Sequence, residues 1–204
     1  MVLIRNHMTA AVVNLRLDRY NPSMSDAADL IERLTLLVRS DARHYEQGLA
    51  PVQYATLAYL ARSNRYSNTL TALTAYLGAT KGTVSETLRS LLERDLIDKA
   101  MDEGDKRVTR LSLTEAGRIL SRSFERRGWQ SVVAALPKAT QRRLAAELRG
   151  LLLALQQRNG GRSFGVCATC QHFRRETDGF RCGLTEECLS KADSLKICYE
   201  HERA

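Results

Sequence analysis

The stretch Thr80 to Ile97, TKGTVSETLRSLLERDLI, constrains the fold of this chain more than any other. Thr80 is a good N-cap, and it follows Leu77-Gly78-Ala79, where Gly78 can take the left-handed conformation that ends a preceding helix. Val84, Leu88, Leu91 and Leu92 recur at helical spacing and form one apolar face. The far side carries Gly82, Ser85, Glu86, Arg89 and Glu93, with Thr83 and Ser90 on its flank. A helix seated on a core with a short, hydrogen-bonding outer face can enter the major groove of duplex DNA. The competing account is an ordinary amphipathic surface helix.

The neighbouring segments decide between the two. Upstream, Asn21-Pro22-Ser23 breaks a weakly patterned N-terminus, and Ser25 or Asp26 can cap a long helix. Its stripe is Leu30, Ile31, Leu34, Leu37, Val38, Ala42 and Tyr45, and it ends near Gly48. Pro51 suits the first turn of a second helix with Tyr54, Leu57, Ala58 and Leu60 inward. Arg62 to Asn68 is polar turn material, and Thr69 to Leu77 reads as a short third helix. Residues 69–94 therefore read as a helix-turn-helix. Downstream, Asp95 sits where a left-handed helix end is expected. Ile97 to Met101, the polar tip Asp102 to Arg107, and Val108 to Leu113 then read as a β-hairpin, a wing directly after the recognition helix. Lys106 and Arg107 on its tip suit phosphates or a narrow minor groove.

Thr114 can cap a helix expected to run from Glu115 to Leu136, stopped by Pro137. Thr140 is expected to cap the next, whose stripe is Leu144, Leu148, Leu151, Leu152 and Leu155. A stripe that leucine-rich, with the one beginning at Ala27, reads as a dimer interface. Asn159 to Ser163 reads as a flexible linker.

The net charge of +8 is placed unevenly. Residues 161–204 hold seven basic and seven acidic side chains, so the whole surplus lies in residues 1–160. A basic body with a neutral tail fits a polyanion-binding domain carrying a separate module. The longest apolar run in the terminal helix is Leu151 to Leu155, far short of a membrane span, and the N-terminus is a poor secretory signal. The expected compartment is the cytoplasm. No nucleophile, general base or phosphate loop stands at a suggestive spacing, so an enzyme is not expected.

Residues Leu73 to Gly117 resemble the MarR family of winged-helix transcriptional regulators. The carrying motifs are Thr80-Lys81-Gly82-Thr83-Val84-Ser85, Leu92-Glu93-Arg94-Asp95-Leu96-Ile97, Asp105-Lys106-Arg107 on the wing, and Leu113-Thr114-Glu115-Ala116-Gly117 opening the fifth helix. Asp95 stands where the family usually has Gly, a conservative departure. The resemblance spans residues 26–158. It implies a homodimer whose two winged helices read a short palindrome in double-stranded DNA. Carried over by position, Asp105 orients Arg107, which meets the DNA backbone or minor groove beside Lys106. Thr83, Ser85, Glu86 and Arg89 face base edges, and Lys81 lies near phosphate. A small-molecule effector at the dimer–wing junction, usual in the family, can coexist with other inputs.

All five cysteines fall in the last 38 residues. Without an export signal, this clustering points to metal or redox chemistry before structural disulfides. Cys167-x2-Cys170 puts two thiolates on one tight turn, and Cys182 and Cys198 complete a set of four. The set suits an iron–sulfur cluster or zinc; the missing second C-x2-C tips the reading toward the cluster. Zinc could instead take Cys198-x2-His201 as a second knuckle, and a metal-free redox disulfide is the third reading. Cys188 is spare, read as a small buried hydrophobe. His172 and His201 are read as supporting residues.

The expected fold is thus mainly α with a small β wing: a MarR-like winged helix-turn-helix dimer with a small cysteine-rich C-terminal module. The divisions are an N-terminal extension (1–25), the DNA-binding and dimerisation domain (26–158), a linker (159–166) and the module (167–204). The leading function is a DNA-binding regulator, a repressor in the first instance, tuned by its metal centre through the dimer helices. The alternative is a redox, electron-transfer or adaptor protein that docks a protein partner through the winged helix and keeps zinc as a structural part.

Overall fold

The computed structural model describes residues 26–41, 48–158 and 162–204. The N-terminal extension, Ala42 and Tyr45 of the first stripe, and residues 159–161 lie outside the described residues. The chain divides into two units, residues 1–38 and 39–204. Helix α1 (Ala27–Asp41) opens the described chain, with Ile31, Leu34, Leu36 and Leu37 exposed.

Within the second unit, α2 (Pro51–Arg62) starts on Pro51, whose fixed φ suits the first helical position. Gln53 accepts the Ala50 N–H at 2.7 Å and closes that end. Helix α3 (Leu70–Leu77) is capped by Thr69, and Gly78 ends it at φ +59°. Helix α4 (Lys81–Glu93) follows, with the Thr80 hydroxyl accepting from the Thr83 N–H at 3.2 Å. Val84, Leu88 and Leu91 are buried as the periodicity requires, joined by Thr87, whose hydroxyl is returned to the Thr83 carbonyl. Asp95 adopts the left-handed conformation at φ +53°.

Strands β1 (Ile97–Met101) and β2 (Thr109–Leu113) pair antiparallel, Ile97 opposite Leu113 and Met101 opposite Thr109. The core of the winged helix gathers Leu57, Tyr59, Leu73, Val84, Leu88, Leu91, Ile97 and Leu111 from these elements. Thr114 caps α5 (Glu115–Arg127) and donates its hydroxyl to the Asp95 carbonyl, tying the helix start to the end of α4. Gly117 is required here, since a Cβ on it would stand 2.0 Å from the Leu96 carbonyl oxygen.

Two helix boundaries differ from expectation. The helix expected over Glu115–Leu136 breaks at Gly128, whose backbone is extended, and resumes as α6 (Trp129–Ala134). The Trp129 N–H, released by that break, donates to the Asp41 carboxylate at 3.0 Å. Helix α7 (Lys138–Arg158) begins directly after Pro137 rather than behind Thr140. Gln141 donates its side-chain amide to the Ala134 and Leu136 carbonyls and takes over the joining role. The leucine stripe of α7 is exposed along its length.

The C-terminal segment is folded and lies in the same unit as the winged helix. A single 3-10 turn at Cys167–Thr169 leads to β3 (Phe173–Glu176), β4 (Gly179–Cys182) and β5 (Cys188–Leu189), an antiparallel sheet in that order, and then α8 (Lys191–Ser194). Residues 162–166, expected as linker, are packed into it: Ser163 bonds His201, and Val166 bridges Ile197. Among the described residues no helix is long and apolar enough to cross a membrane.

Candidate nucleic-acid interface and cysteine cluster

The exposed side of α4 presents Lys81, Gly82, Thr83, Ser85, Glu86, Arg89 and Glu93. Arg89 is gripped on that face: its Nε and Nη2 reach the two Glu86 carboxylate oxygens, and Nη1 lies 3.5 Å from Glu93. This fork holds the guanidinium plane outward and keeps the Glu86 carboxyl below the usual carboxylate range. Thr80 and Thr83 share a hydroxyl contact of 2.9 Å at the helix start. Ser90, by contrast, is turned inward and accepts from Gln53.

The wing tip is built by two aspartates. Asp102 accepts the Gly104 and Asp105 N–H groups on one oxygen and Arg110 Nε on the other at 2.7 Å. Asp105 forks the Arg107 guanidinium at 3.0 Å on both oxygens and accepts its backbone N–H as well. The Arg107 side chain is 91% exposed, so the fork aims it without hiding it. Lys106 is exposed beside it. Both carboxyls are held below their ordinary range, Asp102 first by Arg110 and Asp105 first by Arg107.

The C-terminal segment brings Cys167, Cys170, Cys182 and Cys198 around one cavity of about 40 Å³, whose wall is completed by Tyr66, His172, Phe173, Leu184, Thr185, Leu189 and Glu200. Cys188 is exposed and is no part of that wall, so it is not the buried hydrophobe expected. None of the five cysteines is in a disulfide. Several donors face the sulfurs: the Asn64 amide lies 3.4 Å from Cys167 Sγ, and the Glu202 N–H lies 3.5 Å from Cys170 Sγ. Cys167 and Cys198 act on each other, which pushes the Cys198 thiol down and the Cys167 thiol up. His201 is buried with its ring nitrogens on the Ser163 and Thr169 hydroxyls, and it is no part of the cavity wall. Gly165 makes room for that ring, for a Cβ there would meet His201 Nε2 at 2.4 Å.

The module is seated on the turn between α2 and α3, which sequence reading treated as generic polar material. Ile197 brackets it, donating to the Arg62 carbonyl and accepting from the Asn64 N–H. The Tyr199 N–H donates to Ser67 Oγ at 2.7 Å, and Glu187 meets both Arg65 and Tyr66. Phe164, at φ +47°, sets its ring 5.2 Å from Tyr76 of α3 and 5.9 Å from Tyr199. From the same turn Asn68 pairs with Leu111 of β2, its carbonyl accepting the Leu111 N–H and its amide donating back. The only signal for this role in the sequence was the density of Asn and Ser in RSNRYSN.

A second cavity, of about 520 Å³, opens between the end of α2, β2 and the start of α5. Arg62, Arg118, Arg122 and Lys196 line it among small polar residues and the side chains of Leu60, Leu111 and Leu113.

The model of the MarR family matches residues 47–108, from the start of α2 through the wing tip. Among solved structures, that of S. aureus MepR with DNA superposes with a TM-score of 0.52 at 24% identity, over 63% of this chain and 98% of MepR. Streptococcus pneumoniae FabT with DNA gives 0.50 at 19%, over 64% and 92%. The reduced form of MarR from E. coli gives 0.50 at 18%, over 62% and 96%. Comparison with curated proteins finds no match. At these identities the likeness establishes the fold: the body of this chain has the winged-helix fold of those structures.

Proposed function

We propose that this chain is a DNA-binding transcriptional regulator of the MarR type, a repressor that binds a palindromic operator as a homodimer. The observation that carries the reading is the pairing of two pre-aimed arginines on adjacent elements. Arg89 is forked on the outer face of α4, and Arg107 is forked on the wing tip. Held guanidinium groups suit guanine edges in the major groove and phosphate or minor-groove contact respectively. That MepR and FabT, similar in fold, are solved with DNA supports the same partner here.

The dimer reading is supported by the exposed leucines of α7, Leu144, Leu148, Leu151, Leu152 and Leu155, a stripe too apolar for a solvent face. An effector, if the regulator takes one, would be anionic and would enter the cavity lined by Arg62, Arg118 and Arg122.

The test is fluorescence anisotropy of a labelled random-sequence duplex across a salt series. Binding near about 50 mM salt that falls steeply with added salt is the expected result. Absence of binding at that salt overturns the reading and favours a redox or adaptor protein that docks a protein partner.

A further inference from the structure

We infer that Cys167, Cys170, Cys182 and Cys198 bind a thiophilic metal centre, a zinc ion or an iron–sulfur cluster, and that this centre holds in place the α2–α3 turn from which the helix-turn-helix and the wing both hang. The metal-binding half stands apart from the DNA-binding reading; the regulatory half rests on it.

Three observations carry the first half. These four thiols, separated by up to 31 positions in sequence, face one cavity, while Cys188 is left outside. Amide donors from Asn64 and Glu202 point at sulfur, the pattern that stabilises thiolate ligands and fixes their orientation. Tyr66, Phe173, Leu184 and Leu189 cover part of the remaining wall, beside His172, Thr185 and Glu200. Finally, the module's own buried core is only Cys167, Leu189 and Cys198, too little apolar surface to hold some forty residues folded. A metal–thiolate centre supplies that missing stability. In binding, each sulfur gives a lone pair to the metal and its thiol proton passes to solvent.

Among the described residues, no three His, Cys, Asp or Glu side chains already stand as a metal-ligand set. The thiols line the cavity wall, so a centre with metal–sulfur bonds of about 2.3 Å must draw them inward. That contraction is transmitted because the wall is shared. Tyr66 of the turn is part of it, and Asn64 of the turn bonds a ligand sulfur. Residues 64–68 in turn hold Leu111 of the wing through Asn68, and Phe164 of the module meets Tyr76 of α3 edge to face. Loading therefore acts on the reading head directly. The sequence-based expectation routed it through the long helices instead; the described contacts of the module run mostly to the turn and α3.

The experiment uses the full chain, purified anaerobically, with iron, zinc and acid-labile sulfide measured per chain. Iodoacetamide labelling is read by mass spectrometry on the same sample. The expected result is one centre per chain, with the four ligand cysteines protected and Cys188 alkylated. Iron with sulfide and visible absorption identifies a cluster; a colourless chain with one zinc identifies zinc. Failure to retain either metal after reconstitution with zinc ion, or with ferrous and ferric iron and sulfide, overturns the site. So does protection that spares a different set of cysteines. Cys188→Ser should keep the full metal content, and Cys182→Ser should lose it.

Hydrogen exchange then compares loaded and chelator-stripped chains without any DNA. Loss of protection at residues 62–68 and 109–113 on stripping is expected; unchanged protection there overturns the coupling even if metal is bound. If exchange responds but neither form binds duplex DNA, the fault lies in the regulator reading and the metal site stands.

Discussion

Asn64 donates its side-chain amide to the sulfur of Cys167 across a separation of 103 residues. The same side chain accepts the Tyr66 N–H and the Ser67 hydroxyl, and it is almost wholly buried at 1% exposure. Asn64→Ala strips three hydrogen bonds from a buried site and leaves their partners unpaired. We expect a loss of about 2 kcal/mol in urea unfolding. The winged helix should stay folded, as followed by far-ultraviolet circular dichroism.

The close approach of Gly117 to the Leu96 carbonyl gives a second expectation. Gly117→Ala forces α5 away from the end of α4, against a backbone atom that cannot rotate aside. A loss of about 2–3 kcal/mol is expected, readable as a drop in Tm. Gly82→Ala is the control: a Cβ there meets nothing nearer than 3.9 Å and should be tolerated.

The legibility of this chain follows the range of its contacts. Thr80 and Thr114 each cap the helix that the sequence assigned to them, because a cap bonds within three residues of itself. Gly78 and Asp95 adopt left-handed backbone for equally local reasons. The break at Gly128 was hidden, since Trp129, Val132 and Val133 continue the helical spacing across it. Its cause is partly distant, the Asp41 carboxylate receiving the Trp129 N–H. The seating of the cysteine module was hidden more completely. It rests on backbone and amide bonds between segments over a hundred residues apart, and no periodicity encodes those.

On the proposed DNA-binding surface, Arg107→Ala should weaken binding to all duplexes alike and lower the salt slope by about one. Arg89→Ala should instead cost about 1–3 kcal/mol at one base position and relax the preference there. Anisotropy on a small panel of duplexes separates the two patterns, and identical behaviour of both variants would count against the assignment of base and backbone roles.

The wing should be insensitive to mild acid. The Asp102 and Asp105 carboxyls are lowered by their arginine partners, so their contribution is present above the unfolded carboxylate range. It is lost only as pH falls through their still lower folded values. Between about pH 8 and pH 5, the Arg107 side-chain resonance should therefore hold its position. A shift within that window would mean the fork with Asp105 does not persist in solution.

The leucine stripe of α7 makes a simple test of assembly. Leu152→Glu alters a side chain that is 53% exposed, so it should spare the fold of a single chain. A halved mass in light scattering is the expected outcome, and an unchanged mass would place the interface elsewhere.

The bond between Tyr199 and Ser67 also fixes an order of events during synthesis. Ser67 leaves the ribosome 132 residues ahead of its partner, and before that partner emerges the recognition helix and wing are made, with all the fully buried residues of their core. Each new molecule therefore passes through an interval in which its reading head is complete but nothing yet grips the turn behind it. A chain stalled or cut between α7 and the first cysteine pair would remain in that condition permanently, a winged helix whose α2–α3 turn is never clasped from behind.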